Sequence, residues 1–313
     1  MYMECQDKRI GVIGSSPMCL IVGKVFASKG FEVDIYEPRR NIGGAWRYIE
    51  SPITGDFIAA YNTIMLPLTS EENRALEAVV HMLMENSVEV KKPSYAVSVY
   101  KEYSEYTPFE VSMLPLVKSI KSNDNIRIVR KRVEEVEIRA KNKINIDGSR
   151  ACDYVFITES FPISSLIIND QRLCYSHKIT KSKHIHLYLR DNSKLNENLY
   201  SYKEPFCNAF DRGSLIPLTK ELHGLRLFRG RVTRPLKNLR LNDIVKVSKV
   251  LGKQKPVFTK QYCYLSCIAN ELPLEESDCS YGYMRNQGYY MLKTGQLVSS
   301  IIALEKLLLE FNG

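Results

Sequence analysis

The sequence contains no long hydrophobic run, and it has little tryptophan or histidine, with one and five of these residues among 313. Because no apolar stretch approaches the roughly 18 residues that cross a bilayer, we expect no transmembrane helix and no membrane partner. The first nine residues lack the apolar core of a signal peptide, so the expected location is cytoplasmic.

Cysteine pairs at metal-binding spacing are also missing. None of the eight cysteines forms a C-x-x-C pair, and Cys263 and Cys267 have no histidine close by in the sequence. A zinc site and a disulfide framework are therefore not expected. His184 and His186 lie on one face of a predicted strand, as a metal pair would, but no third ligand is apparent. We expect packing or solvent-facing roles for both histidines and no bound metal.

Residues 9–37 have the pattern of a strand–helix–strand unit. Residues 9–13 predict a buried strand, 14–17 a turn, 18–28 a helix that Gly30 ends, and 31–36 a second strand that Glu37 closes. In such a unit the N-terminus of the helix binds a pyrophosphate, and the acid binds a ribose hydroxyl. The separation of Gly14 and Glu37 fits that spacing.

The glycine fingerprint of this unit is incomplete. An ideal G-x-G-x-x-G that starts at Gly14 would have glycines where Ser16 and Cys19 stand. Ser16 places a Cβ where the backbone comes nearest to the phosphates. The pair Gly43 and Gly44, in contrast, lets the backbone approach a ligand closely. The alternative is an ordinary strand–helix–strand unit that binds no nucleotide.

Residues 9–47 resemble the N-terminal motif of flavoproteins with two dinucleotide-binding domains, such as amine oxidases, protoporphyrinogen oxidase, phytoene desaturase and UDP-galactopyranose mutase. In these families the acid ends the second strand and a Gly-Gly pair follows, as Glu37, Gly43 and Gly44 do here. The resemblance implies FAD as the cofactor. It also implies an α/β fold, in which a Rossmann-like FAD- or NAD(P)-binding domain carries a smaller inserted α+β substrate domain.

Two further residues of this segment, Arg39 and Trp46, each allow more than one role. Arg39 matches a position that is often basic in these families, which implies a contact with the adenosine or the pyrophosphate. Together with Arg40, it could instead bind the 2′-phosphate of NADP or be a solvated charge. Trp46 follows the Gly-Gly pair in a GGxW sequence that also occurs near the flavin of flavin monooxygenases. A core or interface aromatic is the alternative for Trp46.

Later segments extend the resemblance. We predict a helix at 109–120, a strand at 125–129, an alternating hairpin from 132–138 and 143–146 with a turn at 147–148, and a buried strand at 151–158. The resemblance implies that the backbone near Val133 pairs with the adenine. It also implies that a closing helix, predicted at 295–309, points at the flavin or the pyrophosphate.

The predicted cofactor site has three parts. They are Gly14, Ser15, Ser16, Pro17 and Met18 at the pyrophosphate; Glu37, Pro38 and Arg39 at the adenosine; and Gly43, Gly44, Ala45, Trp46, Val133, Thr158, Gly288, Tyr289, Tyr290 and Met291 around the rest of the molecule. Residues 1–48, 109–160 and 280–313 form the predicted FAD-binding domain. Residues 49–108 and 161–279 form the predicted substrate domain.

The positive charge is concentrated in one part of the chain. Residues 171–260 hold 20 Lys and Arg against six Asp and Glu, whereas the whole chain has a net charge of +9. Arg226, Arg229, Arg231 and Arg234 form the densest cluster, and no acid lies between residues 222 and 242. Arginine and nearby aromatic residues suit an anionic small molecule or a nucleic acid, and a solvated basic face is the alternative.

These observations predict an FAD-dependent, amine oxidase-like oxidoreductase that acts on an anionic substrate. No side chain is singled out as the catalytic acid or base, because the flavin itself carries the redox chemistry in this group. The alternatives are a non-redox flavoenzyme that acts on a sugar nucleotide, like the mutase, or a protein with a degenerate flavin fold that binds nucleic acid or protein without catalysis.

Overall fold

A computed structural model of the chain describes most of the segments that build its sheets. The described residues are 8–44, 48–50, 57–59, 63–64, 81–91, 109–140, 143–148, 150–158, 163–174, 177–190, 200–202, 213–217, 225–232, 258–269, 285–286 and 288–292. Ala45, Trp46, Arg234 and the helix predicted at 295–309 lie outside these ranges.

The elements follow one another along the chain. They are β1 (Arg9–Ile13), α1 (Pro17–Ser28), β2 (Glu32–Tyr36), β3 (Tyr48–Glu50), β4 (Phe57–Ala59), β5 (Thr63–Ile64), β6 (Glu89–Lys91), β7 (Phe109–Ser112), α2 (Leu114–Lys121), β8 (Ile126–Val129), β9 (Glu135–Ala140), β10 (Lys143–Ile146), β11 (Arg150–Cys152), β12 (Tyr154–Thr158), β13 (Ser165–Ile168), β14 (Gln171–Cys174), β15 (His177–Arg190), β16 (Tyr200–Tyr202), β17 (Gly213–Pro217), β18 (Leu225–Val232), β19 (Phe258–Ala269), β20 (Arg285–Asn286) and β21 (Tyr289–Leu292). Residues 81–85 are also helical.

The central sheet is mainly parallel. Its described strands lie in the order β20-β21-β12-β1-β2-β8, and each neighbouring pair is parallel except β20 and β21. The chain first runs outward from β1 to β2 and β8, and it then returns to place β12 on the other side of β1. The strand order therefore reverses between β1 and β12, and ligands of such sheets bind at the carboxyl ends of the strands beside this point.

Helix α1 covers one face of the central sheet. It begins at Pro17, a residue whose fixed φ suits the first helical position, and its apolar side chains are buried nearly all round. Phe26 contacts both Phe31 and Phe156 through its ring. Helix α2 adds Leu116 and Ile120 to the same core. This packing holds the N-terminus of α1 at the carboxyl end of β1.

A second sheet supplies a core for the opposite side of β1 and β12. Its described strands lie in the order β11-β10-β9-β13-β14. Ile144 and Ile146 of β10 are buried in one cluster with Ile13 of β1 and Ile157 of β12. The approach is so close that a Cβ added to Gly11 would lie 2.6 Å from Cδ1 of Ile146. The central sheet is thus packed on both faces, as strands of a parallel sheet require.

The structure confirms several predicted elements and corrects others. The strands at 9–13 and 125–129, the pairing of β9 with β10 and the turn at 147–148 are confirmed, although this turn joins β10 to β11. The predicted helix at 109–120 is wrong for its first four residues, which form β7 and pair with β5 and β6.

The predicted single strand at 151–158 is also wrong, because the chain divides at Asp153 into β11 and β12. The N–H of Asp153 donates to the carbonyl oxygen of Arg9 at 2.9 Å, and its carboxylate accepts from the N–H of Arg9 at 2.7 Å. These two bonds anchor Asp153 to the start of β1. The chain there leaves the second sheet and enters the central sheet.

Three further sheets lie in the ranges predicted for the substrate domain and beside it. The largest is antiparallel, with the order β16-β17-β18-β15-β19. One of the smaller sheets pairs β3 with β4, and in the other β7 lies between β5 and β6. Strands β13 and β14 belong to the same range, but β13 pairs with β9 and β14 pairs with β13, so both extend the second sheet. The α/β class with a parallel sheet is established, while the inserted domain and its boundaries stay predictions. No helix among the described residues is long and apolar enough to cross a membrane.

Candidate functional site

The candidate site lies where β1 ends, beside the point at which the strand order reverses. Gly14 follows β1 with φ +103°, and its N–H donates to the carbonyl oxygen of Tyr36 at 3.0 Å. Ile13 is paired with Ile157, so Thr158 lies at the end of β12 next to Gly14. The sheet therefore brings Gly14, Glu37 and Thr158 to one edge.

The N-terminus of α1 offers an anion fewer backbone N–H donors than most helices do. The four N–H groups that a helix leaves without an intrahelical acceptor belong here to residues 16–19. Pro17 has no N–H, and the N–H of Cys19 donates to Oγ of Ser16 at 3.4 Å, so Ser16 caps the helix. The two remaining N–H groups belong to Ser16 and Met18. No acidic residue lies in the first turn, so the positive end of the helix dipole is not neutralised by its own helix.

Glu37 is buried, and its carboxylate is held by neighbouring donors. The residue is 1% exposed. Oγ of Ser15 donates to Oε2 of Glu37 at 2.5 Å. The backbone N–H and the Nε of Arg39 each donate to Oε1 at 3.0 Å. Three donors thus stabilise a carboxylate that has almost no contact with water, and they hold it at the end of β2.

Ser15 joins the three parts of the site. Besides donating to Glu37, its Oγ accepts a hydrogen bond from the N–H of Gly43 at 3.2 Å. Gly44 lies against the same turn, because a Cβ added to it would be 3.2 Å from Cα of Ser16. Gly44 also has φ +57°, a conformation that suits glycine. The Gly-Gly pair is therefore packed on the turn that follows β1, with Ser15 as the link.

Arg130 lies at this site, although the sequence pattern did not predict it there. Its guanidinium NH1 donates to the carbonyl oxygen of Glu37 at 3.5 Å and also to that of Arg39. The signal was available in principle, because Arg130 follows β8, the strand beside β2, and carboxyl ends of parallel strands meet at one edge. Arg39 is 56% exposed, and Arg40 and Arg130 are exposed as well, so several basic side chains near Glu37 are open to solvent.

Cys19 is close to the turn but is not a nucleophile. Burial raises the pKa of its thiol to about 12, and a hydrogen bond with Ser16 offsets only part of that effect. At neutral pH the thiol is therefore protonated and behaves as a small hydrophobic side chain. Among the described residues, no group of three or more His, Cys, Asp and Glu is arranged to hold a metal ion.

Several other residues that were predicted to contact the cofactor lie in the interior. Val133 is fully buried in the core that contains Ile13 and Tyr36. Tyr289 and Tyr290 are buried on opposite faces of β21, and the ring of Tyr290 stacks on Phe156 with centroids 4.8 Å apart. Gly288 precedes β21, and Met291 is one of its strand residues. Pro38 is exposed beside Glu37. The cofactor contacts of this group stay predictions.

Three of the four predicted substrate residues fall on one strand, and the fourth, Arg234, lies outside the described residues. Arg226, Arg229 and Arg231 belong to β18. In the register with β15, Arg229 is opposite His186 and Arg231 is opposite His184, while Arg226 is opposite Leu189. The structure thus brings two of the predicted arginines together with the two histidines that were considered as a metal pair.

Comparisons with solved structures identify the fold. The sequence matches no protein-family model and no curated protein sequence. The structure is similar to a putrescine oxidase solved with putrescine, with a TM-score of 0.62 and 9% identity over 95% of this chain and 97% of that chain. It is also similar to a Pyrococcus furiosus protein, with a TM-score of 0.58 and 14% identity over 96% and 98% of the two chains.

An oxidoreductase from Methanosarcina mazei gives a third match, with a TM-score of 0.53 and 10% identity over 95% and 100% of the two chains. At these identities the similarity establishes the fold alone. The chain therefore has the α/β fold that a putrescine oxidase and another oxidoreductase share.

Proposed function

We propose that the protein is an FAD-dependent, amine oxidase-like oxidoreductase whose substrate is an anion. The observation that carries this proposal is the bridge of Ser15 between Glu37 and Gly43. It connects a helix N-terminus, a buried acid and a Gly-Gly pair at the reversal point of a mainly parallel sheet. The Gly-Gly pair favours FAD over NAD, because an NAD-binding Rossmann domain does not need it.

The residues fit the cofactor at the turn. The N–H groups of Ser16 and Met18, with the dipole of α1, would hold the pyrophosphate. Glu37 would accept a hydrogen bond from a hydroxyl of the adenosine ribose. One of its oxygens already accepts two hydrogen bonds from Arg39, so the ribose either uses the free lone pair of Oε2 or takes the place of the Arg39 side chain. In the second case the guanidinium is released toward the phosphates, where it offsets their charge.

The cofactor defines the reaction, and the chain supplies the environment. A flavin, when bound, would supply hydride-accepting chemistry, and the protein would orient it and the substrate and exclude water. The excess of Lys and Arg in residues 171–260 favours a substrate that carries carboxylate or phosphate groups. Tyr289 and Tyr290 keep the last parallel strand packed in the sheet, which leads the chain back toward the reversal point.

The test is whether the purified full-length protein binds FAD. We expect the flavin absorbance bands in the purified protein, or saturable binding when FAD is added and its fluorescence is followed. Replacing Glu37 with Gln removes a charge-assisted hydrogen bond, which contributes roughly 1.5–3 kcal/mol and corresponds to an affinity loss of about 10- to 150-fold.

The matched control is Glu32→Gln, at the start of the strand β2 that Glu37 follows. Glu32 is an exposed carboxylate that pairs with Arg9, so its loss should leave FAD affinity unchanged. The proposal is wrong if neither flavin bands nor FAD binding is found. It is also wrong if NADPH binds tightly and FAD does not, because Arg39 and Arg40 would then serve a 2′-phosphate.

A further inference from the structure

The antiparallel sheet formed by β15–β19 has an extreme charge composition. Among its strand residues none is Asp or Glu, whereas eight are Lys or Arg and three are His. Those three are most of the five histidines in the chain. Like charges on neighbouring strands repel one another, and no acid within the described strands offsets the repulsion. A polyanion would relieve it.

The strand register decides which of these residues lie together. On one side of β15, His184 is opposite Arg231 and His186 is opposite Arg229. On the other side, His186 is opposite Lys260 of β19. Directly opposed residues of an antiparallel pair belong to the same face of the sheet. His184, His186, Arg229, Arg231 and Lys260 therefore form one group on one face, which we call the basic patch.

The opposite face has a different character. The residues that alternate with the patch include Ile185 and Leu187 of β15, and Leu187 is opposite Phe228 of β18. Arg226 is opposite Leu189 and also belongs to this second face, which is therefore mixed and not purely apolar. Lys181 and Lys183 belong to this second face, so not every basic residue of the sheet is part of the patch.

Aromatic residues share the face of the patch. Tyr262 is opposite His184, and Tyr264 is opposite Ser182 two positions along β15. Tyr188 lies on the same face, beyond His186. From Ser182 to Tyr188 the strand spans about 20 Å, which is far longer than one phosphate group. Basic side chains and tyrosines that alternate over such a length match an extended chain of nucleotides better than one small anion.

We propose that this face of the sheet binds single-stranded nucleic acid without sequence preference. The basic patch neutralises backbone phosphates, and the tyrosines provide stacking surfaces for unpaired bases, each worth roughly 1–3 kcal/mol. This site is additional to the cofactor site and does not depend on it. Flavin content should therefore be the same in all variants of the patch.

The experiment measures binding of a labelled oligothymidylate to the full-length protein by fluorescence anisotropy at several salt concentrations. Three to five neutralised phosphates predict that affinity falls about 20- to 130-fold between roughly 50 and 200 mM salt. The same oligonucleotide in a duplex should bind more weakly, because its bases cannot stack on tyrosine. A mononucleotide should bind far more weakly than either.

The decisive comparison is between two double variants that remove the same charge from the same sheet. R229Q/R231Q removes two residues of the patch and should lower the slope of log affinity against log salt by about 1.4. K181Q/K183Q removes two residues of the opposite face and should leave binding unchanged. Circular dichroism checks that both variants fold, and the single variant R229Q, for which the slope should fall by about 0.7, replaces the first variant if it does not.

Three outcomes would overturn the proposal. Equal weakening by both double variants would mean that only net charge matters. Equal affinity for single strand and duplex would remove the stacking role of the tyrosines. A mononucleotide that binds as tightly as the oligonucleotide would make the patch a site for a small anion.

Discussion

Replacing Ser15 with alanine tests the central feature of the site. Ser15 is 2% exposed, and its single hydroxyl serves as donor to Glu37 and as acceptor for Gly43. Alanine removes both bonds without changing the backbone and without leaving a large cavity. The effect therefore measures the bridge itself.

The magnitude follows from the two partners that lose their hydrogen bonds. The bond to the carboxylate is charge-assisted and contributes roughly 1.5–3 kcal/mol, and a buried N–H without an acceptor costs about 1–3 kcal/mol. Since the two terms share one atom they are not additive, and we expect the free energy of unfolding to fall by about 2–4 kcal/mol. This is a large part of the roughly 5–15 kcal/mol that stabilises most native proteins.

Urea unfolding, followed by circular dichroism, measures the difference. The matched control is Ser28→Ala at the other end of α1, where an exposed serine donates one bond to the carbonyl oxygen of Val25 at 2.7 Å. We expect this control to change stability by no more than about 0.5 kcal/mol. FAD titration of the same proteins should show weaker binding for Ser15→Ala alone.

The reasoning is refuted if Ser15→Ala and Ser28→Ala have the same unfolding free energy within error. In that case the turn and the Gly-Gly pair are held by packing, and the bridge contributes nothing measurable. A stability loss with unchanged FAD affinity would separate the two roles, because the bridge would then hold the fold without shaping the cofactor site.

Three further predictions concern the same region. Gly44→Ala should destabilise the protein more than Gly30→Ala in urea unfolding, because both glycines have positive φ but only at Gly44 does the new Cβ meet backbone; equal losses would dismiss the contact with the turn. Burial raises the pKa of the Cys19 and Cys152 thiols to about 12, so both should resist alkylation near pH 8 until the protein unfolds, which peptide mass spectrometry can measure. The free energy of unfolding should also fall as pH rises from about 9 toward 12, because only the thiols of the unfolded chain ionise in that range. Ser16→Gly should tighten FAD binding if the serine Cβ obstructs the phosphates, at a cost of a few tenths of a kcal/mol for the weaker cap; looser binding in the FAD titration would instead make the hydroxyl a phosphate ligand.

Local patterns were sufficient for the elements that depend on neighbouring residues. The first strand, the helix after it and the second strand follow from apolar periodicity, and the turn at Asp147 and Gly148 follows from residues that tolerate positive φ. The position of Glu37 at a strand end was predictable for the same reason. Each of these features is determined over a span of a few residues.

Features that depend on distant partners were not predictable in this way. The break at Asp153 exists because Arg9, far away in sequence, provides a donor and an acceptor for it. Residues 109–112 are a strand because β5 and β6 pair with them, although their pattern continues that of the next helix. Tertiary pairing overrides local preference where a sheet offers hydrogen bonds that an isolated segment lacks.

The site shows the same division between sequence and tertiary structure. The sequence alone determined that a turn, an acid and a Gly-Gly pair occur in the order of a dinucleotide-binding unit. Only the folded chain decided that Ser15 joins them, since its hydroxyl reaches Glu37 and Gly43 across 22 and 28 positions. Strand register likewise decided that His186 lies opposite Arg229. A sequence pattern records spacing along one chain, whereas hydrogen bonds and register join segments that meet only after folding.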